Sequence, residues 1–228
     1  MGLDMYLERM PRYGNTTPSE ISAIESYFDW KADKRKPESN ARKYTLKKWC
    51  GVDFKTLPSK HVRDFYESHR KFGYASWDTE QKYSGRYRII EQIGYWRKAN
   101  EIHNWFVENV QDGIDDCNYH NEVTKKDLEK LLYICQTVLD SCELVDGKIN
   151  NGYRYENGER IPIMEDGKYV KDSGVAERLL PTTSGFFFGG TDYDEWYVQD
   201  IKNTIDIITK ALENTNFDKE MLYYCSSW

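Results

Sequence analysis

Residues 3–8 alternate in polarity, with Leu3, Met5 and Leu7 set against Asp4, Tyr6 and Glu8. A period of two marks a half-buried strand. The period then changes. Thr17-Pro18-Ser19-Glu20 is a capping box with Pro at the first helical position, and Ile21, Ile24, Tyr27 and Phe28 follow at helical spacing. Residues 31–58 form a basic, irregular segment with room for one short helix near 41–50. A helix near 59–71 would place Val62, Phe65 and Tyr66 on one side, and a long helix is expected over about 89–111. Thr124 with Asp127 three residues on opens another, whose buried stripe would be Leu128, Leu131, Leu132, Cys135, Val138, Leu139 and Cys142.

Segment 145–172 returns to alternation. Tyr153 and Tyr155 precede Asn157-Gly158, Ile161 and Ile163 follow, and a second break is expected at Asp166-Gly167. Asn-Gly between alternating runs is a strong hairpin signal. The last helix is expected to start at Asp192 with Glu195 at N3, turning Tyr197, Ile201, Ile205, Ile208 and Leu212 to the core, and residues 221–225 read as a closing strand. Two terminal strands should pair with each other or with a shared partner. The expected class is therefore α+β: a mainly helical body, a small antiparallel sheet that includes the N- and C-terminal strands, and a polar β-hairpin projecting near 150–170. We expect one domain, 1–228, with the hairpin 145–172 as an insertion.

Composition narrows the class. Hydrophobic residues are only 39% of the 228, but 18 Tyr, 9 Phe and 7 Trp bring aromatics to 15%. Chains disordered throughout lack such ring content. No apolar run approaches the roughly 20 residues of a membrane span. The start, MGLDMYLERM, lacks the basic and apolar regions of a secretory signal, and Tyr6 stands where myristoylation needs Ser or Thr. A cytoplasmic protein is expected.

The net charge of −6 and pI near 5.4 argue against a long nucleic acid as partner. The charge is uneven. Residues 31–50 hold eight Lys or Arg against Asp33 and Glu38, and residues 192–220 hold eight Asp or Glu against three Lys. The basic stretch suits a solvated loop or an anion or nucleic-acid contact; pairing of the two patches would make a homo-oligomer. The five cysteines include no CxxC pair, and none of the four histidines stands in HExxH. No disulfide framework, no metal and no cofactor are expected.

Chemistry concentrates in three segments. Wound as a helix, residues 93–110 place Tyr95, Trp96, Ala99, Asn100, His103 and Phe106 on one face and Arg97, Glu101, Asn104 and Glu108 on the other. Asn100 and His103 thus share an apolar face, where they need partners from the core or from a ligand. In the second segment Thr182, Thr183 and Ser184 precede Gly185, the Phe triplet 186–188 and Gly189-Gly190. Neither GxxxxGK[ST] nor GxGxxG is present, and Ser184 lacks a GxSxG setting. Asp192 and Asp194 would repel phosphate at the following helix start, and suit a cap or a hydrogen bond to a ribose hydroxyl or base edge. The Phe triplet suits a buried strand, or alternatively a platform on which a base stacks. Third, the end Tyr223-Tyr224-Cys225-Ser226-Ser227-Trp228 would pack on the core, or form a pocket wall or oligomer contact. Together these point to a pocket for a flat polar molecule, a nucleotide or nucleobase derivative. Its candidate residues are Trp96, Arg97, Asn100, His103, Thr183, Ser184, Phe187 and Asp192.

Four blocks, MGLDMYL, GYWRKANEIHNWFVENVQDGIDDC, LLPTTSGFFFGGTDYDEWY and the terminal SSW, resemble a family of small uncharacterised proteins from bacteriophages, prophages and their hosts. The blocks cover under half the chain and leave out 31–60 and 145–172. The resemblance implies a phage or prophage setting in a bacterial cytoplasm, where small accessory proteins are often counter-defence factors that sequester or cleave nucleotide signals. The expected function is accordingly sequestration of a small nucleotide-derived signal. The alternatives are a nucleotide-processing enzyme, with His103 as acid or base beside Asp192 or Asp194, and an interaction module whose basic stretch or hairpin docks on a host defence protein.

Overall fold

A computed structural model of the chain describes residues 2–12, 90–115, 117, 121–185 and 187–228. The helices expected within 17–28, 41–50 and 59–71, and the basic segment 31–58, lie outside them. The elements run β1 (Asp4–Pro11), β2 (Glu91–Arg97), α1 (Asn100–Val110), β3 (Asn121–Val123), α2 (Lys125–Ser141), β4 (Leu144–Glu156), β5 (Glu159–Val170), α3 (Gly174–Leu179), α4 (Glu195–Asn214) and β6 (Glu220–Ser227). The terminal strands β1 and β6 are neighbours in a small antiparallel sheet of order β2-β1-β6-β3, as the sequence leads one to expect, and β4 with β5 forms a separate two-stranded sheet. The class is mixed α and β, but the described residues are not mainly helical: helix and strand are near balance among them, at 38% and 35%.

One segment contributes to that difference. The long helix expected over 89–111 is a strand, a sharp corner and an 11-residue helix. Ile93-Gly94-Tyr95-Trp96 alternates as well as it winds, and Gly94 and Trp96 face inward. A Cβ on Gly94 would stand 2.6 Å from Ile207 Cγ2 and 3.1 Å from Leu7 Cβ, so the backbone passes where a side chain would collide. Lys98 then turns the chain with φ of 62°, which no helix continues through.

Several other local signals hold. Thr124 caps α2 with a reciprocal box: its Oγ1 accepts from the Asp127 N–H, and its own N–H donates to Asp127 Oδ2 at 2.9 Å. Leu128, Leu131, Cys135 and Val138 are buried on this helix, while Leu132, Leu139 and Cys142 are half-buried. The hairpin turns at Asn157-Gly158, both with positive φ. The second break expected at Asp166-Gly167 does not occur, and β5 runs unbroken to Val170. Gly167 pairs with Gly147, and this bare strip receives the Tyr169 ring over Gly147 and the Ile149 side chain over Gly167. The glycines serve cross-strand packing rather than a turn. The last helix runs from Glu195, with its cap two residues later than expected, at Asp194 rather than Asp192. The strand expected for the Phe triplet is not formed by Phe187 and Phe188: the first is exposed and the second buried, both in a loop.

The described residues fall into two compact units. One holds the residues up to Leu7, Ile93–Thr215 and Tyr223–Trp228. The other contributes residues 8–12, 90–92 and Asn216–Leu222, where Arg9 pairs with Glu91 at 2.6 Å. In the first unit α2 packs on α4, and Leu3, Met5, Leu7, Ile102, Phe106, Ile201 and Ile208 are buried.

Candidate functional site

Asn100 opens α1 and is buried, but it faces protein rather than solvent. Its Nδ2 donates to the Gly190 carbonyl at 2.7 Å and to that of Phe188 at 3.4 Å, and its Oδ1 accepts from the Thr183 N–H at 2.8 Å. One side chain therefore staples both ends of the 183–190 loop. The loop is further held by a 3.4 Å bond from the Leu3 N–H to the Phe187 carbonyl. Gly189, with φ of 100°, passes where a Cβ would stand 3.1 Å from Lys98 Cβ. Buried polar groups cost free energy when orphaned, so Asn100→Ala should destabilise the fold by about 2–4 kcal/mol, from three broken contacts. Native-state hydrogen exchange should show the loss first at the Thr183 amide.

Trp96 is 1% exposed, its Nε1 donates to Thr204 Oγ1 at 2.9 Å, and its ring meets Phe106 edge-on. Arg97 points to solvent and lies 3.5 Å from Asp4 Oδ1. Thr183 contributes its backbone to the staple, Ser184 is exposed, and Phe187 is exposed with φ of 67°. Of the expected pocket residues, the structure thus gathers Asn100 and Thr183 into a staple for the loop that carries Ser184 and Phe187. Trp96 it places in the core.

His103 is 1% exposed and neutral in character. Its Nδ1 lies 2.7 Å from Tyr224 Oη, and its Nε2 is 3.1 Å from Asp115 Oδ2, close but off the line of a good hydrogen bond. A coherent assignment has the tyrosine hydroxyl donating to Nδ1 and the proton on Nε2 facing the carboxylate. Burial pulls the imidazole pKa down and Asp115 opposes it. The cluster extends outward. Phe188 sits edge-on to the imidazole, Trp228 edge-on to Phe188, and Trp228 Nε1 donates to Asp115 Oδ1 at 3.0 Å. His103 and Tyr224 therefore fasten β6 to α1, and Trp228 ties the residue after β6 to Asp115 and Phe188. The imidazole is enclosed by these partners.

Sequence reasoning missed Glu101. The helical wheel sets it opposite the apolar face, yet it is 2% exposed, because the first two turns of α1 are enclosed on nearly every side. Its Oε1 has no hydrogen-bond partner among the described residues. Burial pushes its pKa well up, and Asp200 and Asp194 push it the same way. Asp200 itself is pushed up to about 7, mainly by burial. A Glu in a first helical turn is too common to announce this.

Open space among the described residues is found elsewhere as well. A cleft of about 500 Å³ lies along the hairpin. The hairpin lines it with Lys148, Asn150, Tyr153, Pro162, Met164 and Tyr169; the following chain adds Ser173 and Asp192–Asp194. The two sides are tied by a 2.9 Å bond from the Val170 N–H to the Tyr193 carbonyl and by a bridge between Tyr169 and Asp194. The volume falls within the range of small-molecule sites. Tyr153, Met164 and Tyr169 keep about half their surface open. Only Asp192 was legible as a site residue, since the rest are spread over two strands whose register the sequence does not state. Among the described residues no group of His, Cys, Asp or Glu is arranged to hold a metal ion, and no helix is long and apolar enough to cross a membrane. Comparison with known proteins gives no significant match to a family model, a curated protein or a solved structure.

Proposed function

We propose that the chain is a binding protein for a small nucleotide-like ligand, seated in the cleft beside the hairpin. The observation that carries this reading is the cleft's lining: open tyrosine rings next to Asn150, Ser173 and Asp192, a combination that stacks on a flat ring and hydrogen-bonds its edge. The nucleotide class expected from the sequence is kept and its site is moved, from the Trp96–His103 face to the hairpin. In the phage or prophage setting that the resemblance implies, such a protein acts by sequestering a nucleotide-derived signal.

Native mass spectrometry of the protein purified from bacteria tests the proposal. A stoichiometric extra mass is expected, released intact on denaturation and lost in Tyr153→Ala. Bare protein that also takes up no nucleoside or nucleotide when these are added would overturn it.

A second reading, docking of the hairpin on a host protein, is favoured by Tyr155, which is 74% exposed and lies outside the cleft lining. A captured host protein that is lost on Tyr155→Ala but retained on Tyr153→Ala would support it; capture indifferent to Tyr155 would sink it.

A further inference from the structure

The charges around the cleft decide which end of such a ligand it holds. Lys148 is the only cation in the lining among the described residues, and its Nζ lies 2.6 Å from Asp166 Oδ1 on the cross-strand partner residue. The start of α4, which would otherwise draw a phosphate by its free N–H groups, is already filled from within. Asp194 Oδ1 accepts from the Trp196 N–H at 2.9 Å and the Tyr197 N–H at 3.1 Å. Glu195 adds a further carboxylate there, accepting from the Lys168 N–H. Asp192, by contrast, is exposed in the cleft, and no hydrogen bond or ion pair engages its carboxylate among the described residues. The unspent charge of the cleft is therefore negative.

The neutral groups point the same way. Asn150 Oδ1 is taken by the Gly152 N–H at 3.1 Å, which leaves the amide NH₂ to donate to an acceptor on a ring edge. The Ser173 hydroxyl donates to Glu177, so its lone pairs remain to accept.

We infer that the cleft holds the nucleoside end of its ligand, with the ring against the tyrosines and two vicinal hydroxyls donating to Asp192, and that it excludes phosphate. This rests on the proposed binding function and specifies its ligand class. A carboxylate with two free oxygens matches a ribose diol, whereas a phosphate beside it meets like charge in a site with no free cation among the described residues.

The test is isothermal titration calorimetry of the full chain with the four ribonucleosides, their 2′-deoxy forms and their 5′-monophosphates. At low salt a ribonucleoside should bind on the order of tenfold more tightly than its monophosphate, with the gap closing as salt rises. The deoxy form should be weaker. Asp192→Asn, an exposed and isosteric change, should weaken the nucleoside and erase the discrimination against phosphate. Tighter binding of the monophosphate by the unaltered chain would overturn the inference and leave the binding function standing. So would discrimination that survives Asp192→Asn. Absence of binding by every compound would overturn both.

Discussion

Glu101→Gln is expected to raise stability at neutral and alkaline pH and to flatten its dependence on pH. The carboxyl is fully buried, its Oε1 is unpartnered among the described residues, and burial shifts its pKa well upward. The sign follows directly. A carboxyl with a raised folded-state pKa binds its proton more tightly when folded. Its contribution is whole below the ordinary carboxylate value and is lost as pH rises through the shifted value. Each pH unit inside that window costs about 1.4 kcal/mol. Glutamine keeps the shape and removes the ionisation. Asp200, pushed up to about 7, has the same sign, so some slope should survive in the variant. His103 has the opposite sign. Its lowered pKa gives stability that is present above the ordinary imidazole value and is lost as pH falls below it. Urea unfolding followed by tryptophan fluorescence, from pH 5 to 8.5, should give curves for the two proteins that diverge as pH rises. Parallel curves would contradict the burial of an ionisable Glu101.

Trp96→Ala should remove about 3–5 kcal/mol, a large share of the 5–15 kcal/mol that holds a typical domain. The indole is enclosed between Phe106 and α4, and its N–H is bonded to Thr204. Collapse around the lost volume is restricted because Gly94, Leu7 and Ile207 already pack closely on the same side. Trp96→Phe separates the core from the site. It keeps most of the ring and gives up one hydrogen bond, at about 1–2 kcal/mol. Ligand uptake by the folded fraction should be unchanged. A Trp96→Phe protein that melts normally yet binds nothing would return the site to the face on which the sequence placed it.

What could be read in advance was what local chemistry decides. The Thr124 box, the Asn157-Gly158 turn and the alternation of Leu3, Met5 and Leu7 each state their element within a few residues. The terminal strands followed from their periodicity and from the need of each for a partner. The errors arose where distant residues decide. Ile93–Arg97 can alternate or wind, and pairing with β1 chose the strand. Asp166-Gly167 looks like a turn until Gly147 is found opposite it. Asn100 and His103 were rightly singled out as polar groups on an apolar face, but their partners are Gly190, Thr183, Tyr224 and Asp115, up to 121 residues away in sequence. The cleft was the least legible feature, because only folding brings Lys148 and Asn150 alongside Tyr193.

The most direct measurement is amide chemical-shift mapping of the isotope-labelled protein while a ribonucleoside is titrated in. The cleft predicts that the perturbed amides gather in 148–153, 162–170 and 192–194, while 97–103 and 183–188 stay fixed. Perturbations centred on Trp96, Asn100 and His103, with the hairpin silent, would contradict it.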